Sequence, residues 1–138
     1  MPSDEAPGTG KGLGVRELSD KELKDQGVDL SKRGPRLEVP KDNPEIKARL
    51  QKLLAEYRAK VQQGLKTTEG SYQAPEVQDP YYYEAQYGAD FLSQLLTDGH
   101  VDTYDFTRRI GKGLNGQAFG RLMVKVEDAL GIKHDRVA

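Results

Sequence analysis

Cysteine is absent from this chain, and histidine occurs only twice in 138 residues. Without cysteine there is no disulfide framework, no thiolate nucleophile and no zinc–thiolate site. That absence fits a reducing compartment. No apolar run approaches the ~20 residues of a membrane span. The opening Met1-Pro2-Ser3-Asp4-Glu5-Ala6-Pro7 lacks the basic and apolar regions of a secretion signal. The expectation is a soluble compartment, cytoplasmic or organellar after removal of a targeting segment.

Apolar side chains are also scarce. Hydrophobic residues make up 36 % of the chain and charged residues 31 %, with a mean hydropathy of −0.76. The 15 glycines raise the apolar fraction without supplying side chains to bury. The length suits one domain. A core spread over all of it would be thin, so the apolar residues should be concentrated in one part.

Charge is present in blocks. Residues 1–40 carry 7 basic and 8 acidic groups, and residues 41–66 carry 7 and 3. Residues 67–100 hold 6 acids and no Lys or Arg, and residues 101–138 hold 7 basic and 5 acidic groups. An acidic block between two basic ones points to internal electrostatic complementarity or to a bipolar docking surface.

Helix signals dominate from residue 41 onward. Asn43 can cap and Pro44 suits the first helical position. Ile46, Leu50, Leu53, Leu54, Tyr57 and Val61 then recur at helical spacing up to Gly64, a possible terminator. The rest of this helix, 44–63, is basic. A polar loop follows to Gln78, and Asp79-Pro80 opens a second helix that Asp98-Gly99 ends. One face holds Tyr81, Ala85, Gly88, Leu92, Leu95 and Leu96, beside a ridge of Tyr83, Tyr87 and Phe91. Asp102 or Thr103 starts a short third helix, and Asn115 caps a fourth that Gly131 closes.

Sustained alternation of period two is nowhere found, so the expected class is all-α. The expected architecture is a small antiparallel bundle of about four helices over 41–132, with a polar tail at 133–138. Residues 1–40 contain six glycines and four prolines. They show one capping box, Ser19-Asp20-Lys21-Glu22, and read as an extended or disordered arm with a single helical turn.

Motifs for chemistry are few. Pro7-Gly8-Thr9-Gly10-Lys11 resembles the phosphate loop of AAA-type ATPases over five residues. Glu5 stands where that loop needs a glycine, and Gly12 where it needs a magnesium-binding hydroxyl, so no nucleotide site is expected. Arg108, Arg109 and Lys112 flank a Gly-rich turn that can hold a phosphate or carboxylate weakly, although solvated cations on a flexible helix–helix turn are the favoured explanation. Asp98, His100 and Asp102 alternate as hard-metal ligands would, yet a turn and a helix cap account for each separately. No catalytic residue, metal or cofactor is expected. Tyr81, Tyr82, Tyr83 and Tyr87 are the candidate partner-binding residues: three in succession point three ways around one helix, so at least one should stay outside the core, and ordinary helix packing with exposed phenols explains them equally well.

Two functions follow as expectations. The first is a non-catalytic interaction or assembly subunit that docks on a protein partner or larger complex through the helical body and the arm. The second is a nucleic-acid-binding module using helix 44–63 and the Arg108–Lys112 turn. A pI near 6.1 weighs against the second.

Overall fold

In the computed structural model, residues 17–32, 34–75 and 79–132 are described. The class is all-α, with one two-stranded sheet among the described residues.

The long basic helix, α2 (Pro44–Thr67), starts where the sequence marks it: the Asn43 side chain accepts from the Ile46 N–H. Ile46, Leu50, Leu54, Tyr57 and Val61 are its buried stripe, and Leu53 lies half-buried at the stripe's edge. The helix runs through Gly64 instead of ending there. A Cβ at Gly64 would stand 2.5 Å from a ring carbon of Tyr82, so this glycine serves close packing between helices.

Helix α3 (Tyr82–Asp98) begins later than Asp79-Pro80 suggests, because Asp79 folds the preceding residues into a turn. Its Oδ1 accepts from the Tyr81 N–H and its carbonyl from the Tyr82 N–H. Gly99, at φ +86°, closes the helix. α3 is the central element. It packs against α2, against the last helix and against a short strand, and is buried on nearly every side. Gly64 meets Tyr82 and Gly88 meets Tyr57, so α2 and α3 run antiparallel.

Strands β1 (Arg36–Glu38) and β2 (His100–Asp102) pair antiparallel in the register Arg36↔Asp102, Leu37↔Val101, Glu38↔His100. Three residues are too few to show alternation in a sequence, and only Leu37 and Val101 point inward. Asp102 caps α4 (Thr103–Ile110) through Asp105 N–H and also accepts from the Gly34 N–H. A 3-10 turn (Gly111–Gly113) leads to α5 (Gly116–Leu130), capped by Asn115 and closed by Gly131 at φ +76°. All three phenylalanines of the chain meet in the core. The Phe91 ring stands edge-on to Phe106 at 5.0 Å, and Phe106 stacks on Phe119 at 6.0 Å.

Residues 17–32 and 34–40 pack on the helical body, where the sequence reads as an extended or disordered arm with a single helical turn. Helix α1 (Asp20–Asp25) forms on the Ser19/Glu22 capping box, and its Leu23 is fully buried. Leu18 N–H donates to the Arg109 carbonyl at 2.9 Å, and β1 is part of the sheet. Among the described residues the packed body therefore takes in those from Glu17 onward, not only those from 41. Polar bonds to α4 supply what the thin apolar content of this stretch cannot. Residues 1–16, with the Pro7–Lys11 string, and the 133–138 tail lie outside the described residues.

Candidate functional site

A buried carboxylate on α3 organises the largest polar cluster that joins the three long helices. Glu84 sits on the face shared with α2 and α5, its side chain only 3 % exposed. Oε2 accepts from the Tyr57 hydroxyl of α2 at 2.5 Å and from Lys125 Nζ of α5 at 2.9 Å. Oε1 accepts from Arg121 Nε of α5, also at 2.9 Å. The Arg121 guanidinium lies 4.7 Å over the exposed Tyr81 ring, and Lys125 Nζ 5.9 Å over Tyr57. Gly88 admits the Tyr57 ring, because a side chain there would occupy the same space.

The electrostatics follow from this geometry. Burial pushes the Glu84 carboxyl up, but the bonds from Tyr57, Lys125 and Arg121 together outweigh it and hold the group below its ordinary value. Burial, then the bond to Glu84, drives the Tyr57 phenol well above its ordinary range. Neither group changes charge near neutral pH. The cluster is suited to presenting fixed charge, not to shuttling protons.

A second cluster lies on α4. Arg109 donates from Nε to Asp105 at 2.7 Å, from Nη1 to the Leu18 carbonyl at 3.0 Å and from Nη2 to Asp20 at 2.5 Å. Arg108 donates from Nη1 to the Asp29 carbonyl at 2.8 Å, and from Nη2 to Asp105 at 3.0 Å and the Leu30 carbonyl at 3.4 Å. Its guanidinium also covers the Tyr104 ring, and its Nε alone has no partner among the described residues. Two adjacent arginines thus grip both ends of the 18–30 segment. Burial raises the Asp105 carboxyl, but the bonds from Arg109 and Arg108 outweigh it and hold it below its usual value.

This placement bears on the residues singled out in the sequence. Arg108 and Arg109 already have acceptors, and only Lys112 is exposed at the Gly-rich turn. Of the tyrosines, Tyr82 (2 % exposed) and Tyr87 (1 %) belong to the core, which removes them from any surface. The Tyr87 hydroxyl accepts from Asn115 N–H at 2.7 Å and so ties down the start of α5. Tyr83 is half-buried, and Tyr81 remains 54 % exposed. Asp102 is a cap. Among the described residues no group of three His, Asp or Glu is placed to hold a metal, and no helix is long and apolar enough to cross a membrane.

Glu84, Arg121, Lys125 and Tyr57 carried no sequence signal as a unit. Each lies at an unremarkable helical position, and Arg121 is 37 residues from its carboxylate. The only hint was an acid block flanked by basic ones. The structure also shows an open cleft of about 350 Å³ at the end of α2, lined by Lys60, Gly64, Thr68, Pro75 and Asp79. Its one cation is paired with Asp79 at 2.7 Å.

No protein-family model matches the chain, and neither a curated protein nor a solved structure matches it.

Proposed function

We propose that the chain is a non-catalytic interaction or assembly subunit that docks on a protein partner or larger complex in a soluble compartment, cytoplasmic or organellar. One observation carries this reading. Among the described residues, three of the five exposed large apolar side chains fall between the last turns of α2 and the start of α3: Leu65 within α2, Tyr72 in the link and Tyr81 just before α3. Large exposed apolar residues gathered in one place mark interaction surfaces more often than single scattered ones do. The clustered interior ionisable groups satisfy one another, which leaves surfaces as the means of action.

The test is chromatography of extracts containing the chain at native abundance, with mass spectrometry of the fractions. Wild type should elute with a partner at fixed stoichiometry. The triple variant Leu65→Ser, Tyr72→Ser, Tyr81→Ser should elute free while its thermal melt stays near that of wild type, because all three side chains are solvent-facing. Elution of wild type at monomer size, or retention of the partner by the triple variant, would overturn the reading.

The nucleic-acid alternative keeps the basic outer face of α2, where Lys47, Lys52 and Lys66 are exposed. It loses the Arg108–Lys112 turn, whose arginines hold the chain's own carboxylates and carbonyls. Tight binding of mixed-sequence nucleic acid near physiological salt would restore it.

A further inference from the structure

We propose that Arg121, Lys125 and Tyr81 form a docking point for an acidic segment of a protein partner, with a partner carboxylate seated against the free edge of the Arg121 guanidinium. This rests on the assembly reading above and names the chemistry of the partner. The argument begins with charge. One buried carboxylate, Glu84, holds two cations, and neither Arg121 nor Lys125 forms another ion pair among the described residues. Glu56 of α2 contributes its field at Tyr57 but makes no ion pair there. The charge of this cation pair is thus met by only one ion-paired carboxylate among the described residues. It opens to solvent, since the Arg121 side chain is 25 % exposed and Lys125 is 55 % exposed.

Geometry gives that charge a shape. Nε of Arg121 is fixed by Glu84, and the face of the guanidinium is fixed by the Tyr81 ring. Its Nη groups have no acceptor among the described residues, so they present a held fork to the outside. Such a fork matches the two oxygens of a carboxylate. The rotamer freedom that an exposed arginine normally loses on binding is already lost here, which favours affinity. Lys125 supplies a second donor beside it. Tyr81 supplies an adjoining apolar surface for a neighbouring side chain of the partner.

A protein segment fits this better than a polyanion does. Nucleic acid gains affinity by having many phosphates neutralised at once, whereas the site here offers two cations on a chain of net charge −1. One or two carboxylates flanked by an apolar residue would use every feature of the site.

The test uses the isotopically labelled full chain in nuclear magnetic resonance titrations at low salt. The probes are a short synthetic glutamate–leucine peptide, the same peptide with glutamine for glutamate, and a mixed-sequence single-stranded oligonucleotide. The glutamate peptide should give saturable shifts at the Arg121 Nε–H, at Lys125 and at Tyr81, and the glutamine peptide should not. Lys125→Gln leaves Glu84 bonded to Arg121 and Tyr57, so it should stay folded and bind about tenfold more weakly. Arg121→Lys keeps a cation but loses the fork, and should weaken binding by at least as much. The proposal falls if the glutamine peptide binds equally well, if the oligonucleotide binds as tightly at the same residues, if the shifts map to Lys47 and Lys52, or if nothing saturates. A chain that elutes in a complex yet ignores the glutamate peptide overturns this inference alone. A chain that binds the peptide at Arg121 but elutes free overturns the assembly reading alone.

Discussion

At the scale of single residues, Glu84 matters most, because a charge removed from water is stable only while its partners stay. Tyr57→Phe removes one of three donors and leaves Lys125 alone on Oε2. The expected cost is ~1.5–3 kcal/mol, the range for a hydrogen bond to a charged group. Chemical denaturation of the two proteins would measure it. The pH sign follows from the folded carboxyl lying below the ordinary 4.5. Its contribution is complete above that unfolded value and is lost as pH falls through the lower, folded one. In Tyr57→Phe a depressing bond is gone, so acid unfolding should begin at higher pH. An acid midpoint that does not move would mean Glu84 is not the group that sets it.

At the scale of elements, the glycines of the helices separate two uses of a missing side chain. Gly88 on α3 faces the Tyr57 ring with no room for a methyl, whereas Gly120 on α5 has nothing within 4 Å. Alanine favours a helix over glycine by about 1 kcal/mol. Gly120→Ala should therefore stabilise by roughly that amount, and Gly88→Ala should destabilise by ~1–3 kcal/mol through overpacking. Paired thermal melts decide it, and a shift of the same sign in both would refute the packing argument. The 17–32 segment carries a different prediction. Burial pushes the Glu17 carboxyl up to about 7, although Arg109 and the 2.7 Å bond from Gln94 oppose this. A folded value above the ordinary one gives a contribution that is whole at low pH and lost as pH rises through about 7. Amide exchange at Leu18 and Leu23, corrected for its intrinsic pH dependence, should therefore be less protected at pH ~8 than at pH ~6. Glu17→Gln should abolish the difference; an unchanged difference would assign it to another group.

At the scale of the molecule, two of the six acids of the 67–100 block are answered by the flanking basic blocks. Asp79 pairs with Lys60 of the preceding basic block, and Glu84 with Arg121 and Lys125 of the following one. Leu95 and Tyr82 share the hydrophobic core while Tyr81 is exposed. Leu95→Ala and Tyr82→Ala should each cost ~2–5 kcal/mol, and Tyr81→Ala much less. Melts of the three variants would show it, and equal losses would place Tyr81 in the core.

The sequence by itself determined most helix ends, though not the end of α2 or the start of α3, because capping signals act within about four residues. Asn43, Asp102 and Asn115 cap as expected, and Gly99 and Gly131 close their helices. It also determined the apolar stripe of α2. Only the tertiary structure decided that Gly64 lies inside a helix, that Tyr82 and Tyr87 face inward, that residues 17–32 and 34–40 pack on the body, and that Glu84 gathers two cations. Each of these depends on a group far along the chain: Tyr82 for Gly64, Arg109 for Leu18, Arg121 for Glu84. Local spacing carries no record of such a partner, because burial and pairing arise only when the helices meet.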